Sequence, residues 1–167
     1  MKNKIKVYLR NPLCEMAING DWIDLKANEN ITLHKGIDTL LDLGVAMQLP
    51  KGYEAIVLPR SSLYKHKHCI VVNSMGVIDN GYCGSNDIWY AHLISTEDDN
   101  IEVGERIVQF RIQLSQFASV WQKIRWLFSN GVKIEYVDHL DNPNRGGIGS
   151  TGGYTITTPI YRQMNQH

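Results

Sequence analysis

N-S-M-G-V-I-D-N-G-Y-C-G, residues 73–84, is the stretch that decides how the chain is interpreted. A short apolar run in its middle leads directly to one carboxylate, Asp79. Asn80-Gly81 follows and predicts a two-residue β-hairpin turn, because both residues tolerate the positive φ angles of such a turn. The flanking glycines lack a Cβ atom, so the backbone there can approach another group closely. On its own, the pattern also fits an ordinary surface hairpin with an acidic tip.

The composition is that of one globular domain without a dominant charge. With 167 residues, the chain can bury one core but is too short for two ordinary domains. Lys and Arg together number 17, as do Asp and Glu, so no net charge favours binding to DNA, RNA or a membrane surface. No apolar run approaches the roughly 20 residues of a membrane-spanning helix, and the N-terminus lacks the apolar centre of a signal peptide.

The cysteines are odd in number and widely spaced. The three cysteines, at positions 14, 69 and 83, form no C-x-x-C pair, so neither structural zinc nor a disulfide framework is implied. His66-Lys67-His68 is expected to be an exposed loop and not a metal site. A reduced, cytoplasmic protein is therefore expected.

Alternation of apolar and polar residues predicts many short β-strands. In residues 104–114, for example, Val108, Phe110 and Ile112 fall on one face. Such strands, closely spaced and separated by turn signals, favour a barrel or sandwich of mostly antiparallel type. Strands are expected at residues 4–9, 39–49, 53–58, 70–73, 88–95, 104–114 and 133–139.

One segment, residues 117–128, has the period of an amphipathic helix instead. Its apolar residues follow the i, i+3, i+4, i+7 spacing, and Ser129-Asn130-Gly131 supplies an end signal. We expect this stripe to pack on its own sheet or on a neighbouring subunit, with a membrane-surface or partner-binding role as the alternative. The stripe consists of Phe117, Val120, Trp121, Ile124, Leu127 and Phe128.

Five stretches, in this order, resemble the motifs of the trimeric dUTP diphosphatase (dUTPase) family. They read D-W-I-D-L-K (21–26), P-R-S-S-L (59–63), the stretch at 73–84, G-E-R-I-V-Q-F (104–110) and N-R-G-G-I-G-S-T-G (144–152). The resemblance implies an all-β, jelly-roll-like β-barrel over residues 1–152. The helix would be an insertion at about 117–131, and residues 153–167 a C-terminal tail. Shortened features are similar to dUTPases of Gram-positive bacteria and their phages, which implies the cytoplasm of a bacterial or phage-infected cell.

The resemblance also implies a reaction and an assembly. A homotrimer would hydrolyse dUTP to dUMP and pyrophosphate with Mg²⁺, in active sites built from several subunits. Asp79 would be the general base that takes a proton from the water attacking the α-phosphorus. Tyr82 would stack under the deoxyribose and exclude a ribose 2′-hydroxyl. The Asn73 side chain and the backbone near Gly76 and Ile78 would read the uracil edge.

A second group of residues is expected to hold the triphosphate. Arg60, Ser61 and Ser62 offer a cation, hydroxyls and backbone N–H groups, although the same residues also fit a turn between strands. Gln109 lies on the polar face of its strand, which would point to the phosphates or the trimer axis. Arg106 on that strand fits a structural ion pair equally well.

The fifth motif is interpreted as a Gly-rich lid over the phosphates. Arg145 would meet the γ-phosphate, although two fewer residues separate it from the following serine than in the usual motif. The aromatic that usually covers uracil is replaced by an isoleucine, which leaves Trp89, Tyr90 and Tyr154 as candidates for base stacking, with Trp89 or Tyr90 favoured because their strand would pass near the base. The remaining lid residues expected at the substrate are Ile148, Gly149, Ser150 and Thr151.

Asp24 in the first motif has two interpretations. In the resembled family, Mg²⁺ is held mainly by the phosphates and water. Asp24 would then orient a metal-bound water and would not be a direct ligand. The alternative is a structural role in which Asp24 caps a turn.

Two other functions are weighed against dUTP hydrolysis. A dCTP deaminase would need a glutamate within residues 88–95 and an arginine soon after the serines, and both are missing. A regulatory module would engage a protein according to its nucleotide state, and the 117–128 helix with Trp121 and Trp126 would be its contact surface.

Overall fold

The computed structural model describes residues 2–146, in which short strands predominate. The first six strands are β1 (Asn3–Leu9), β2 (Ala17–Asn19), β3 (Trp22–Lys26), β4 (Ile31–Leu33), β5 (Asp38–Asp42) and β6 (Val45–Gln48). The other seven are β7 (Tyr53–Pro59), β8 (Cys69–Val71), β9 (Gly76–Ile78), β10 (Tyr90–Ser95), β11 (Asp99–Ile101), β12 (Arg106–Leu114) and β13 (Val132–Val137). The α-helices in this range are α1 (Leu63–Lys67) and α2 (Val120–Leu127), and neither has the length and apolarity needed to cross a membrane.

The strands assemble into four sheets. The largest has the order β2-β3-β12-β7-β9, and the others are β13-β1-β6, β5-β10-β8 and β11-β4. Among these pairs only β1 and β13 run parallel, and the predicted, mostly antiparallel all-β architecture is thereby confirmed.

The middle of the largest sheet shows how the alternating sequence builds the core. Val108, Phe110 and Ile112 on β12 are all buried, as the alternation predicts. A β-bulge just before Val108 shifts the register, and Ile107 is buried as well. The ring of Phe110 meets that of Trp89 edge-on, with 5.2 Å between centroids. β12 is the central strand of the largest sheet, between β3 and β7.

The prediction of one strand over residues 39–49 is wrong. The chain breaks at Gly44, whose φ of 67° glycine adopts at little steric cost. The Asp42 carboxylate stabilises the break by accepting a 2.6 Å hydrogen bond from the Gly44 N–H. As a result β5 joins β10, while β6 joins β1 in a different sheet.

The hairpin prediction for residues 73–84 is also wrong. Asn80-Gly81 does lie in a turn, in which the Tyr82 N–H donates to the Asp79 carbonyl at 3.2 Å. The strands on either side of the turn, however, do not pair with each other. β9 pairs with β7, with Ile78 opposite Ala55, whereas β10 pairs with β5 and β8. Asp79 thus follows the edge strand of one sheet, where the chain crosses to another.

The loop expected at residues 66–68 is wrong for its first two residues. His66 and Lys67 lie in α1, which buried Leu63 anchors to the core. His68 ends the helix with a φ of 47°, and its ring nitrogen lies 3.0 Å from the Asp99 carboxylate.

The predicted amphipathic helix is confirmed as α2, but its apolar stripe faces outward. Ser119 and Gln122 form a capping box at the start of the helix. Trp126 faces inward and packs against Tyr53 with 5.5 Å between ring centroids. The stripe itself is exposed, with Phe117 at 90% and Trp121 at 80%. Packing of the stripe on its own sheet is therefore wrong, and packing on a neighbouring subunit stays a prediction.

Candidate active site

Asp79 is presented on the tight turn that follows β9. Its Oδ1 accepts a 2.7 Å hydrogen bond from the Gly81 N–H, which fixes the carboxylate across the turn. The side chain is nevertheless 55% exposed, so at least one face of the carboxylate is open to solvent. Arg145 Nη1 donates to the other oxygen, Oδ2.

The protonation of Asp79 follows from these contacts. Burial is the largest single influence and raises the pKa of Asp79, because the turn removes part of the water around its charge. The hydrogen bond from Arg145, the backbone N–H groups of Gly81 and Tyr82, and the guanidinium charge act in the opposite direction. Together they outweigh burial and lower the pKa of Asp79 below the ordinary value for an aspartate. Asp79 is therefore ionised at neutral pH.

Tyr82 is held by its hydroxyl group. The hydroxyl donates a 2.9 Å hydrogen bond to the Ile88 carbonyl, and the half-buried ring packs against the core. Partial burial, together with the nearby Asp87 charge, raises the pKa of Tyr82, so the hydroxyl stays protonated. The ring is thus fixed three residues beyond Asp79.

A small cavity of about 40 Å³ lies between β9 and β10. It brings together the three residues predicted to read the base, Asn73, Gly76 and Ile78, and both favoured aromatic candidates. Trp89 is only 1% exposed and belongs to the core, whereas Tyr90 is half-buried. Of the two rings, only that of Tyr90 is accessible without opening the core.

Asp24 forms a second carboxylate cluster, on β3. The residue is 3% exposed and binds two arginines. Arg60 Nε donates to its Oδ1 at 3.1 Å, and Arg106 Nη1 donates to its Oδ2 at 3.2 Å. The turn-capping interpretation of Asp24 is therefore wrong, because the residue lies within a strand. Arg106 forms an ion pair with Asp24, in line with the structural role that was one of the two roles considered for it.

The expected phosphate-binding residues surround this second cluster. Gln109 Nε2 donates to the Pro59 carbonyl at 3.2 Å, which ties β12 to the start of the P-R-S-S stretch. Ser61 is exposed and Ser62 is half-buried, directly before α1. Arg60 also donates to the Arg106 carbonyl at 3.4 Å, so its guanidinium spans two strands.

The Asp79 turn and the Arg60 cluster lie at opposite ends of the β7–β9 pair. Ile78, just before Asp79, is opposite Ala55, and Arg60 lies five residues beyond Ala55 along the chain. At about 3.3 Å per residue, this offset corresponds to about 16 Å. The two groups therefore do not form one compact site within a single protomer.

Known proteins are similar to this chain in sequence and in fold. A family model described as dUTPase matches residues 20–120. A prophage-derived deoxyuridine 5'-triphosphate nucleotidohydrolase of Bacillus subtilis, YosS, is 47% identical over 133 residues, which are 80% of this chain and 84% of that protein. The chain belongs to the dUTPase family.

Other dUTPases support the same assignment. The deoxyuridine 5'-triphosphate nucleotidohydrolase of Rhodococcus erythropolis is 31% identical over 148 residues, covering 87% of this chain and 82% of that protein. The crystal structure of a Streptococcus mutans dUTPase matches with a TM-score of 0.62 at 23% identity, covering 68% of this chain and 98% of that one. The dUTPase of phage phi11 of S. aureus, reported with a structural Mg(II) ion, matches with a TM-score of 0.59 at 17% identity, covering 70% and 94%. The predicted jelly-roll-like dUTPase fold is thereby confirmed.

One residue at the dUTPase turn was missed by sequence reasoning. Asp87 is fully buried and accepts hydrogen bonds from the backbone N–H groups of Gly84, Arg145 and Gly146. Its sequence signal is weak, since it is one polar residue directly before the apolar pair Ile88-Trp89. The lid contacts Ile148, Gly149, Ser150 and Thr151, and the aromatic candidate Tyr154, lie outside the described residues.

Proposed function

We propose that this dUTPase-family chain hydrolyses dUTP to dUMP and pyrophosphate, with Asp79 as the general base. The names of its relatives in Bacillus and Rhodococcus support this substrate. The observation that carries the proposal is the geometry of Asp79, an accessible and ionised carboxylate fixed on a rigid turn. A carboxylate of this kind can accept a proton from a water molecule that attacks the α-phosphorus. A positioned base typically contributes about 10²–10⁴-fold to the rate.

The cavity between β9 and β10 is the proposed site for uracil. Asn73 supplies a side-chain amide, and the backbone at Gly76 and Ile78 supplies further donors and acceptors for the base edge. A site that satisfies a base by hydrogen bonds rejects an analogue that leaves those groups unpaired, by roughly 10⁴–10⁵-fold. Tyr90 is the proposed ring over the base, because it is more accessible than Trp89. Tyr82 is the proposed platform for the deoxyribose.

Arg60, Ser61, Ser62 and Gln109 are the proposed triphosphate contacts. Arg60 is held by Asp24, which keeps its guanidinium on the sheet. Arginine suits this task because its fixed fork of donors matches phosphate oxygens. We infer that these residues receive the β- and γ-phosphates.

The distance between the two groups supports an active site shared between subunits. Neighbouring phosphates of one nucleotide lie much closer together than the roughly 16 Å between the two ends of the β7–β9 pair. We infer that the Asp79 turn of one protomer and the Arg60 group of another meet around one dUTP. A homotrimer with one such site at each junction satisfies this requirement.

Arg145 would change partners during the cycle. In the protomer its guanidinium neutralises Asp79, so the base has a cation where the reacting water must sit. The γ-phosphate carries more negative charge than one carboxylate and competes for the same guanidinium. Substrate binding would then release Asp79 for catalysis and give the phosphate its cation.

Mg²⁺ is the proposed cofactor, carried in by the nucleotide. Among residues 2–146, no group of three or more His, Cys, Asp or Glu residues lies close enough together to hold a metal ion. We infer that the ion is bound through the phosphates and water, since Mg²⁺ usually keeps several waters and is often bound together with substrate phosphates. The ion neutralises charge on the triphosphate. Asp24 stays the candidate that would orient a water of this ion, although two arginines already bind it.

A pyrophosphate-release assay on dUTP, dTTP, dCTP and UTP, with Mg²⁺ or with excess EDTA, tests the proposal. We expect turnover of dUTP that is selective by orders of magnitude and is lost in EDTA. Comparable turnover of dTTP would contradict the proposed base site, and comparable turnover of UTP would contradict the role of Tyr82. Ammonia release from dCTP without pyrophosphate would favour the deaminase alternative.

A second candidate function rests on the exposed stripe of α2. The stripe presents aromatic and aliphatic side chains to solvent in the protomer, which favours contact with another protein. A phage dUTPase of similar fold is reported to control transfer of virulence genes. Iodide quenching of the assembled enzyme, compared with its Trp121→Phe variant, tests this role. Access of iodide to Trp121 in the oligomer supports partner binding, and a shielded Trp121 assigns the stripe to a subunit interface.

A further inference from the structure

We propose that Asp87 is a positioning residue, which holds the backbone of Arg145 so that its guanidinium reaches the Asp79 carboxylate. This inference rests on the proposed function, because it assigns a task within the same site. Neither the motifs nor the family resemblance points to Asp87.

The Asp87 carboxylate is buried and bound entirely by backbone N–H groups among the described residues. Its Oδ2 accepts a hydrogen bond from the Gly84 N–H at 2.8 Å, and both of its oxygens lie within 3.0 Å of the backbone nitrogen of Arg145. Its Oδ1 also accepts from Gly146 at 3.3 Å. A buried carboxylate is costly unless it is well hydrogen-bonded, and bonds to an ionised acceptor are the stronger kind. The start of the fifth motif is thus tied to one fixed point.

The residues just before Asp87 hold the same segment from three further positions. Ser85 exchanges hydrogen bonds with the backbone of Leu140, donating at 3.3 Å and accepting at 2.7 Å. The Asn86 N–H donates to the Asn144 side chain at 2.9 Å. At Gly84 the approach is so close that an added Cβ would lie 2.7 Å from the Asn144 Cα. Residues 84–87 therefore form a clasp around residues 140–146.

The clasp has a chemical consequence because Asp79 and Asp87 lie on the same crossing segment. The turn at one end carries the proposed base, and the clasp at the other end fixes the residue whose side chain binds that base. Loss of the clasp would move the Arg145 backbone, and with it the guanidinium. Asp87 itself cannot touch dUTP, since it is fully buried and its oxygens are occupied by the backbone. Its role is therefore positional.

Asp87→Asn is the sharpest variant, because it keeps the size of the side chain but turns one acceptor into a donor that faces N–H groups. We expect kcat/KM for dUTP to fall about 10–100-fold, because the displaced Arg145 would no longer be placed to meet the γ-phosphate and a displacement of about 1 Å at a site can cost 10²-fold. We expect the double variant Asp87→Asn/Arg145→Gln to be no slower than Arg145→Gln alone, because both changes remove the same contact. Asp99→Asn, a partly buried aspartate away from the turn, is the matched control and should keep wild-type kcat/KM.

A second measurement does not depend on turnover. Carboxyl NMR titration should give Asp79 a higher pKa in Asp87→Asn than in the wild type, shifted in the same direction as in Arg145→Gln. An unchanged pKa of Asp79, or a double variant whose losses multiply, would overturn the proposal. If Asp87→Asn does not fold, Asp87→Glu carries the same two readouts, because it keeps the charge and displaces the clasp. A wild-type enzyme inactive on dUTP would contradict the proposed function, whereas the NMR result would still test the clasp.

Discussion

At the candidate site, two aspartate–arginine clusters differ in burial. Asp24 lies within β3, its side chain is 4% exposed, and two arginines bind it from neighbouring segments. Asp79 lies on a turn, its side chain is 55% exposed, and one arginine binds it. At this site the same pair of functional groups is thus placed once within the sheet and once at its edge.

The difference indicates which carboxylate can take part in chemistry. An ion pair cut off from water holds its partners, because separating them leaves a charge without compensation. An exposed ion pair contributes little to folding and is readily exchanged. Asp24 therefore fits a fixed element that holds Arg60 in place. Asp79 fits a base that must lose its cation before it accepts a proton.

Asp24→Asn should have the largest effect on stability. The change leaves Arg60 and Arg106 without their shared carboxylate, and their partial exposure moderates the cost. We expect the free energy of unfolding to fall by about 1–3 kcal/mol, as for a buried polar group that loses its partner. Urea denaturation measures it, with Asp79→Asn as the control that should unfold at nearly the wild-type concentration. Equal losses in the two variants would remove the proposed distinction.

Arg106→Gln should have a smaller effect. Arg106 makes one 3.2 Å hydrogen bond to Asp24, and its side chain is 44% exposed. We expect a loss of no more than about 1 kcal/mol, which is typical of a partly exposed pair. If Arg106 serves only as this ion pair, the KM for dUTP should stay within about two-fold of wild type, since the pair is weak. A large rise in KM would instead place Arg106 at the phosphates.

Arg145→Gln should change stability least but move the pH dependence. Arg145 lowers the pKa of Asp79, and burial, which raises it, would then act without that opposition. The pKa of Asp79 should therefore rise, and the acid limb of kcat/KM should shift to higher pH, because the base must be ionised. A pH profile from pH 4 to 8 measures the shift. An unmoved acid limb would mean that Asp79 is not the group that titrates.

The local parts of the fold could be predicted from sequence. β1, β7 and β12 follow from alternation, and α2 follows from helical spacing, because these periods reflect burial on one face. The turn at Asn80-Gly81 was also correct. The predicted pairing of the strands beside this turn was wrong, because β9 pairs with β7, whose residues lie about 20 positions earlier in the chain.

The features of the site that could not be predicted also depend on contacts between residues far apart in the chain. The two arginines on Asp24 come from β12 and from the end of β7, and no spacing rule links those positions to β3. Asp87 binds backbone nearly 60 residues further along the chain. The outward direction of the α2 stripe could not be inferred either, because Trp126, a residue outside the stripe, supplies the inward contact. The motifs indicated which side chains take part in the chemistry, whereas the partners of those side chains became clear only from the fold.

Steady-state pyrophosphate release by Asp79→Asn at saturating dUTP tests the central claim most directly. Asparagine keeps the shape of the turn but cannot accept the proton. We predict a fall in kcat of about 10²–10⁴-fold, with dUTP affinity, measured by calorimetry, and the unfolding midpoint close to those of the wild type. A variant that retains kcat within a few-fold of wild type would contradict the assignment of Asp79 as the general base.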